Sequence, residues 1–151
     1  MEHTFSQIYI HIVFSVKHRE RLIAGTWKEE LYKYISGIIT NEGQKLYIIN
    51  GDMDHIHMLI GMYPNKSISD LVRAIKANSS AFIKEKRFTG GTFNWQRGFA
   101  AFSIGKSEVE RLINYIKIQE QHHGGTTFAE EYETFLDKYG IEFDRKYLFK
   151  E

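Results

Sequence analysis

The sequence predicts an α+β fold: a ferredoxin-like βαββαβ antiparallel sheet with an added C-terminal helix. Three observations predict it. Segments rich in β-branched and aromatic residues alternate with segments of helical periodicity in that order. The two middle strands follow each other through a turn too short for a crossover, which makes them antiparallel. The chain of 151 residues holds a single proline and shows no repeat or low-complexity tract, so one domain over 1–151 accommodates it.

The first strand is expected near Phe5 to Ser15. A helix should begin at Thr26, with Glu29 completing a capping box and Leu31, Tyr34, Ile35, Ile38 and Ile39 on its apolar stripe. Two strands follow, Lys45 to Ile49 and Ile56 to Met62, with Asn50-Gly51 suited to the turn between them. Ser67 and Asp70 open a second helix bearing Ile68, Leu71, Val72, Ile75, Phe82 and Ile83 on one face. A loop containing Gly90 and Gly91 leads to a fourth strand near Phe99 to Ile104. Ser107 and Glu110 form a second potential capping box before a helix over roughly 108–122. Tyr132, Phe135, Leu136 and Tyr139 mark a short final helix within a tail of about 127–151.

Composition narrows the chemistry. The absence of cysteine removes disulfides, thiolate nucleophiles and cysteine-ligated zinc, and accords with a cytoplasmic location. No apolar run approaches the roughly 20 residues that span a bilayer, so no membrane partner is expected. The net charge of +1 does not announce nucleic acid, but its distribution is uneven. Lys66, Arg73, Lys76, Lys84, Lys86 and Arg87 face only Asp70 and Glu85 in the same stretch, whereas the segment after Gly125 is acidic. A basic face or a solvated helix surface both fit this pattern.

Two constellations could carry chemistry. In Asp54-His55-Ile56-His57 the strand period sends both imidazoles to one face, about 7 Å apart, where their nitrogens can converge on one divalent cation. Two histidines on a polar strand face would look the same. On the third helix Val109, Leu112, Ile113 and Ile116 form the core stripe. Tyr115 and Gln119 lie together on its flank, one turn apart, with His122 close by. A half-buried tyrosine there serves packing as readily as catalysis.

Four ordered blocks together resemble the single-tyrosine HUH transposases of the insertion-sequence 200/605 family, over nearly the whole chain. They are Tyr9-Ile10-His11-Ile12-Val13-Phe14-Ser15-Val16-Lys17-His18-Arg19, Asp54-His55-Ile56-His57-Met58-Leu59-Ile60, Trp95-Gln96-Arg97-Gly98-Phe99-Ala100-Ala101-Phe102-Ser103-Ile104 and Asn114-Tyr115-Ile116-Lys117-Ile118-Gln119-Glu120-Gln121-His122-His123. Ile118 departs from the family pattern, which favours a polar residue before the glutamine. The resemblance implies an enzyme that cleaves and rejoins single-stranded DNA. Its cofactor would be Mg²⁺ or Mn²⁺ on His55, His57 and Gln119, and its nucleophile Tyr115, forming a 5′-phosphotyrosine. It further implies a homodimer with composite active sites, in which the tyrosine helix of one subunit serves the histidines of the other. Gly105 and the Gly124-Gly125 pair are candidate hinges for that exchange. The substrate would carry a subterminal hairpin. Lys76, Lys84, Lys86, Arg87 and Arg97 are candidate phosphate contacts, and Tyr9, Phe93 and Trp95 candidate base-stacking residues. Alternatives are a domesticated relative acting on dispersed palindromic repeats, a non-catalytic nucleic-acid-binding module, and a metal-dependent hydrolase that needs no tyrosine.

Overall fold

A computed structural model describes residues 3–122 and 126–150. It contains strands β1 (Tyr9–Ser15), β2 (Lys45–Asp52), β3 (His55–Gly61) and β4 (Ala100–Ile104). Its helices are α1 (Lys28–Asn41), α2 (Ile68–Lys86), α3 (Val109–Lys117), α4 (Gln119–His122) and α5 (Phe128–Lys138). All strand pairings are antiparallel in the order β2-β3-β1-β4. The expected ferredoxin-like α+β architecture is the one observed. Among the described residues, no helix is long and apolar enough to cross a membrane.

Strand alternation divides the molecule into two apolar layers. Ile10, Ile12, Phe14, Ile56, Met58 and Ile60 point to one face, where α1 and α2 cover them with Leu31, Ile35, Leu71 and Ile75. Val13, Leu59, Ala100, Phe102 and Ile104 point to the other, under Leu112 and Ile116 of α3 and Phe128 and Leu136 of α5. Burial on both faces explains why β3 is almost continuously apolar apart from its histidines. Those histidines lie on the α3–α5 face, which determines what they meet.

Several local expectations are corrected. Thr26 does not cap α1, whose N-cap is Trp27, and Ser107 does not cap α3, whose N-cap is Glu108; neither cap residue makes a side-chain capping bond to its helix. Ser67 does cap α2, its hydroxyl accepting from the Asp70 amide at 3.1 Å. Asn50 and Gly51 lie within β2, and the turn falls on Met53 and Asp54. Gly51 is required by close approach: a Cβ there would stand 2.1 Å from the His55 carbonyl oxygen. Asn50 instead donates through Nδ2 to the Ile116 and Lys117 carbonyls, both at 3.0 Å. These are carbonyls of the final turn of α3, which the helix leaves without intrahelical donors. The expected single helix over 108–122 is therefore broken: Ile118 leaves helical geometry at φ −106° and ψ 25°, and α4 restarts at Gln119.

Candidate active site

β3 supplies the base of the site. His55 and His57 are both fully buried, side by side on the face opposite Ile56. Each imidazole is anchored through Nδ1. The His55 Nδ1 lies 2.7 Å from Asp54 Oδ1, and the His57 Nδ1 lies 2.8 Å from His11 Nε2 on the neighbouring strand. This leaves both Nε2 atoms directed at α4 and α5, an orientation that suits metal ligation. The His55 Nε2 meets Gln119 Oε1 at 2.8 Å and Glu131 Oε1 at 3.3 Å; the His57 Nε2 meets the same Glu131 oxygen at 3.0 Å.

Glu131, in the first turn of α5, draws the site together. Its other oxygen accepts a bond from Gln119 Nε2 at 2.9 Å and a short one from the Tyr115 hydroxyl. Thus the four residues singled out by the sequence, His55, His57, Tyr115 and Gln119, converge on a carboxylate that sequence reasoning missed. A detectable signal existed. Glu131 shares the apolar stripe of α5 with Phe128 and Leu136, and a carboxylate on a buried stripe needs partners.

The protonation states follow from this packing. Burial pulls the His55 pKa down, but hydrogen bonds and charge from Asp54 and Glu131 outweigh it and lift the value to about 9. Burial would raise the Glu131 carboxyl, yet bonds and charge from His55 and His57 hold it far below the ordinary range. Burial and then the adjacent Glu131 carboxylate raise the Tyr115 phenol. His11 is driven well below the usual histidine value by burial and by His57. The His11 Nδ1 is buried and, among the described residues, has no hydrogen-bond partner.

The donor set fits a divalent cation. One nitrogen from each histidine and one oxygen of Glu131 lie within 4.8 Å of one another, and the Gln119 amide oxygen borders the same space. Imidazole and carboxylate ligands suit a first-row divalent ion or Mg²⁺, with positions left for substrate oxygens. Beside Tyr115, between α3 and α5, a cavity of about 430 Å³ is lined by Leu112, Glu131, Phe135, Lys138 and Tyr139.

The other expected contacts are scattered. Phe93 and Trp95 are core residues, 0% and 9% exposed, and Trp95 Nε1 donates to Ser79 Oγ at 2.9 Å. Their expected base stacking is therefore corrected: packing has taken the ring faces. Lys76 reaches the Gln96 and Gly98 carbonyls, so it pins the loop before β4. Tyr9 is half-buried, edge-on to Tyr47 at 5.7 Å. Lys84, Lys86, Arg87 and Arg97 are exposed. The His122 side chain, Gly124 and Gly125 lie outside the described residues.

The chain is similar to several known proteins. The ISDra2 transposase TnpA of Deinococcus radiodurans is 24% identical over 120 residues, covering 75% of this chain and 84% of that protein. The transposase for insertion sequence element IS200 of Salmonella typhimurium is 26% identical over 125 residues, covering 79% and 81%. Among solved structures, a candidate transposase from Deinococcus radiodurans R1 superposes with a TM-score of 0.59 at 20% identity, covering 78% of this chain and 94% of that one. A REP-associated tyrosine transposase bound to a REP hairpin gives 0.62 at 15% identity, covering 83% and 76%. The family model described as IS200-like transposase matches residues 4–119, which include His55, His57, Tyr115 and Gln119. With that match across most of its length, the chain belongs to the IS200-like transposase family.

Proposed function

We propose that the protein is a metal-dependent transposase that cleaves and rejoins single-stranded DNA at element ends through a covalent bond to Tyr115. The observation that carries this reading is the convergence of the Tyr115 hydroxyl with the His55–His57 pair on one buried carboxylate. A nucleophile and a cation site so close together suit phosphoryl transfer, and neither a passive binding module nor a water-using hydrolase needs that tyrosine.

In this mechanism His55 and His57, with Gln119 or Glu131, would hold Mg²⁺ or Mn²⁺. The bound cation would polarise the scissile phosphate and offset its developing charge. Tyr115 Oη attacks phosphorus, the bond to the 3′ oxygen breaks, and a 5′-phosphotyrosine and a free 3′ hydroxyl result. The phosphodiester energy is kept in the new ester, so rejoining needs no nucleotide cofactor. Glu131 orients the hydroxyl in the resting protein, but its negative charge keeps the phenol protonated. The substrate end is a subterminal hairpin, and the exposed Lys84, Lys86, Arg87 and Arg97 are available to its phosphates. A homodimer that exchanges its tyrosine helices would pivot at Gly105, although within one chain Tyr115 already stands beside its own histidines.

The test is incubation of a single-stranded element end with protein and Mg²⁺ or Mn²⁺, then a denaturing gel. A protein–DNA adduct that survives denaturation and is lost in Tyr115→Phe supports the mechanism. Cleavage without any adduct rejects it.

A further inference from the structure

A second cationic surface lies apart from the basic stretch of α2. The turn after β1 brings His18 and Arg19 against Arg145, Lys146, Tyr147 and Lys150 of the final segment, around a groove of about 600 Å³. Sequence distance hid it, because these cations come from opposite ends of the chain and the segment after Gly125 is acidic overall. The two walls are joined by a buried residue. Gln96 accepts through Oε1 from the His18 amide at 3.2 Å and donates through Nε2 to the Phe149 carbonyl at 2.9 Å. His18 and Arg19 both hold left-handed backbone, φ 58° and 54°, which non-glycine residues adopt only where their surroundings impose it.

We propose that this groove binds the sugar–phosphate backbone of single-stranded DNA on its way to the scissile position. The inference deepens the strand-cleavage reading and rests on it. Three features select that ligand. First, charge: Arg145 pairs with Glu133, whereas among the described residues no carboxylate pairs with Lys146 or Lys150. Phosphates would relieve the mutual repulsion of these cations. Second, aromatic surface: Tyr147 is 58% exposed among these cations, and single strands combine phosphate contacts with stacking. Third, position: ring contacts connect the groove to the site. The Arg19 guanidinium lies 4.1 Å over Phe149, Phe149 is 6.0 Å from Phe128, and Phe128 stacks on His55 at 4.3 Å. A strand lying in the groove is therefore only a few nucleotides from the histidines.

The experiment measures binding of fluorescent oligodeoxythymidylate by anisotropy across a salt series in chelator, where cleavage does not interfere. Each single-strand phosphate contact contributes about 0.7 to the slope of log affinity against log salt. Arg145→Ala/Lys146→Ala/Lys150→Ala should flatten the slope by about 2 and weaken binding at low salt by about tenfold or more. Arg145→Lys/Lys146→Arg/Lys150→Arg should retain both values. An unchanged slope in the alanine variant, with its thermal melt intact, overturns the proposal. So does an equal loss of affinity for a blunt duplex, because the groove would then not select single strands. Adduct formation on an element end is scored separately. Its absence from the wild type would remove the cleavage reading while leaving the groove result to stand or fall by itself.

Discussion

Binding a cation at this site must expel a proton, and the size of that effect follows from the environment of His55. With a pKa of about 9 in the metal-free protein, only about one His55 side chain in a hundred is neutral at pH 7. Imidazole ligates only in its neutral form, so apparent Mn²⁺ affinity at pH 7 should be about 100-fold below its plateau. It should rise about tenfold per pH unit and level off above pH 9. Metal-free stability should move in the opposite direction. The folded pKa of His55 lies above its usual value of 6.5, so its contribution is full below pH 6.5 and is lost as pH rises through about 9. That loss amounts to about 3 kcal/mol. The depressed Glu131 carboxyl works from the other side, contributing above its ordinary value of 4.5 and losing that contribution as pH falls toward its folded value. Calorimetric Mn²⁺ titrations at pH 7, 8 and 9, in buffers of different ionisation enthalpy, read both the affinity and the proton released. Asp54→Asn removes one source of the raised pKa and should shift the whole profile to lower pH. Affinity that stays flat from pH 7 to 9, or binding with no proton released, refutes the reasoning.

Other perturbations read other parts of the structure. Tyr115→Phe keeps the ring and its edge contact with Phe135, so DNA binding should survive while cleavage falls to background; full cleavage would sink the tyrosine mechanism. His55→Ala/His57→Ala should abolish Mn²⁺ binding and cleavage together. Gln119→Ala should cost less, since a neutral amide is the weakest ligand and Glu131 stands beside it; the comparison is made by metal titration. Gly51→Ala should destabilise by about 3 kcal/mol or more, because its Cβ would collide with backbone rather than with a yielding side chain. A chemical denaturation midpoint near that of the wild type would contradict the close approach. Co-purified heterodimers of Tyr115→Phe with His55→Ala/His57→Ala report on the exchange of tyrosine helices: partial recovery of cleavage indicates trans sites, and its absence indicates cis sites.

The sequence disclosed the site wherever a short-range rule governs direction. Strand alternation alone puts His55 and His57 on one face, and helical spacing puts Tyr115 on the flank of Leu112 and Ile116. It misled wherever a long-range contact overrode a local preference. Asn50-Gly51 has the composition of a turn, yet Asn50 is used by the end of α3 and Gly51 by the His55 backbone. Trp95 sits beside Arg97 and resembles a nucleic-acid contact, but its indole nitrogen is held by Ser79 of α2. Glu131 could not be joined to the site by spacing, because the helix break at Ile118 and the passage to α5 separate it from Gln119 in orientation as well as in sequence.

Glu131 also supplies an electrostatic reason for a cation in the proposed reaction. The carboxylate that gathers His55, His57, Gln119 and Tyr115 is buried and negatively charged. A scissile phosphate entering the same space would place a second anion within a few ångströms of it, where low polarity makes repulsion strong. The His55 imidazolium balances one negative charge, not two. Two positive charges on an ion held by neutral imidazoles would balance both carboxylate and phosphate. They would also weaken the hold of Glu131 on the Tyr115 proton, because an anion that ligates a cation is a poorer acceptor. One exchange, a proton leaving His55 as a divalent ion arrives, would thus admit the substrate and release the nucleophile together.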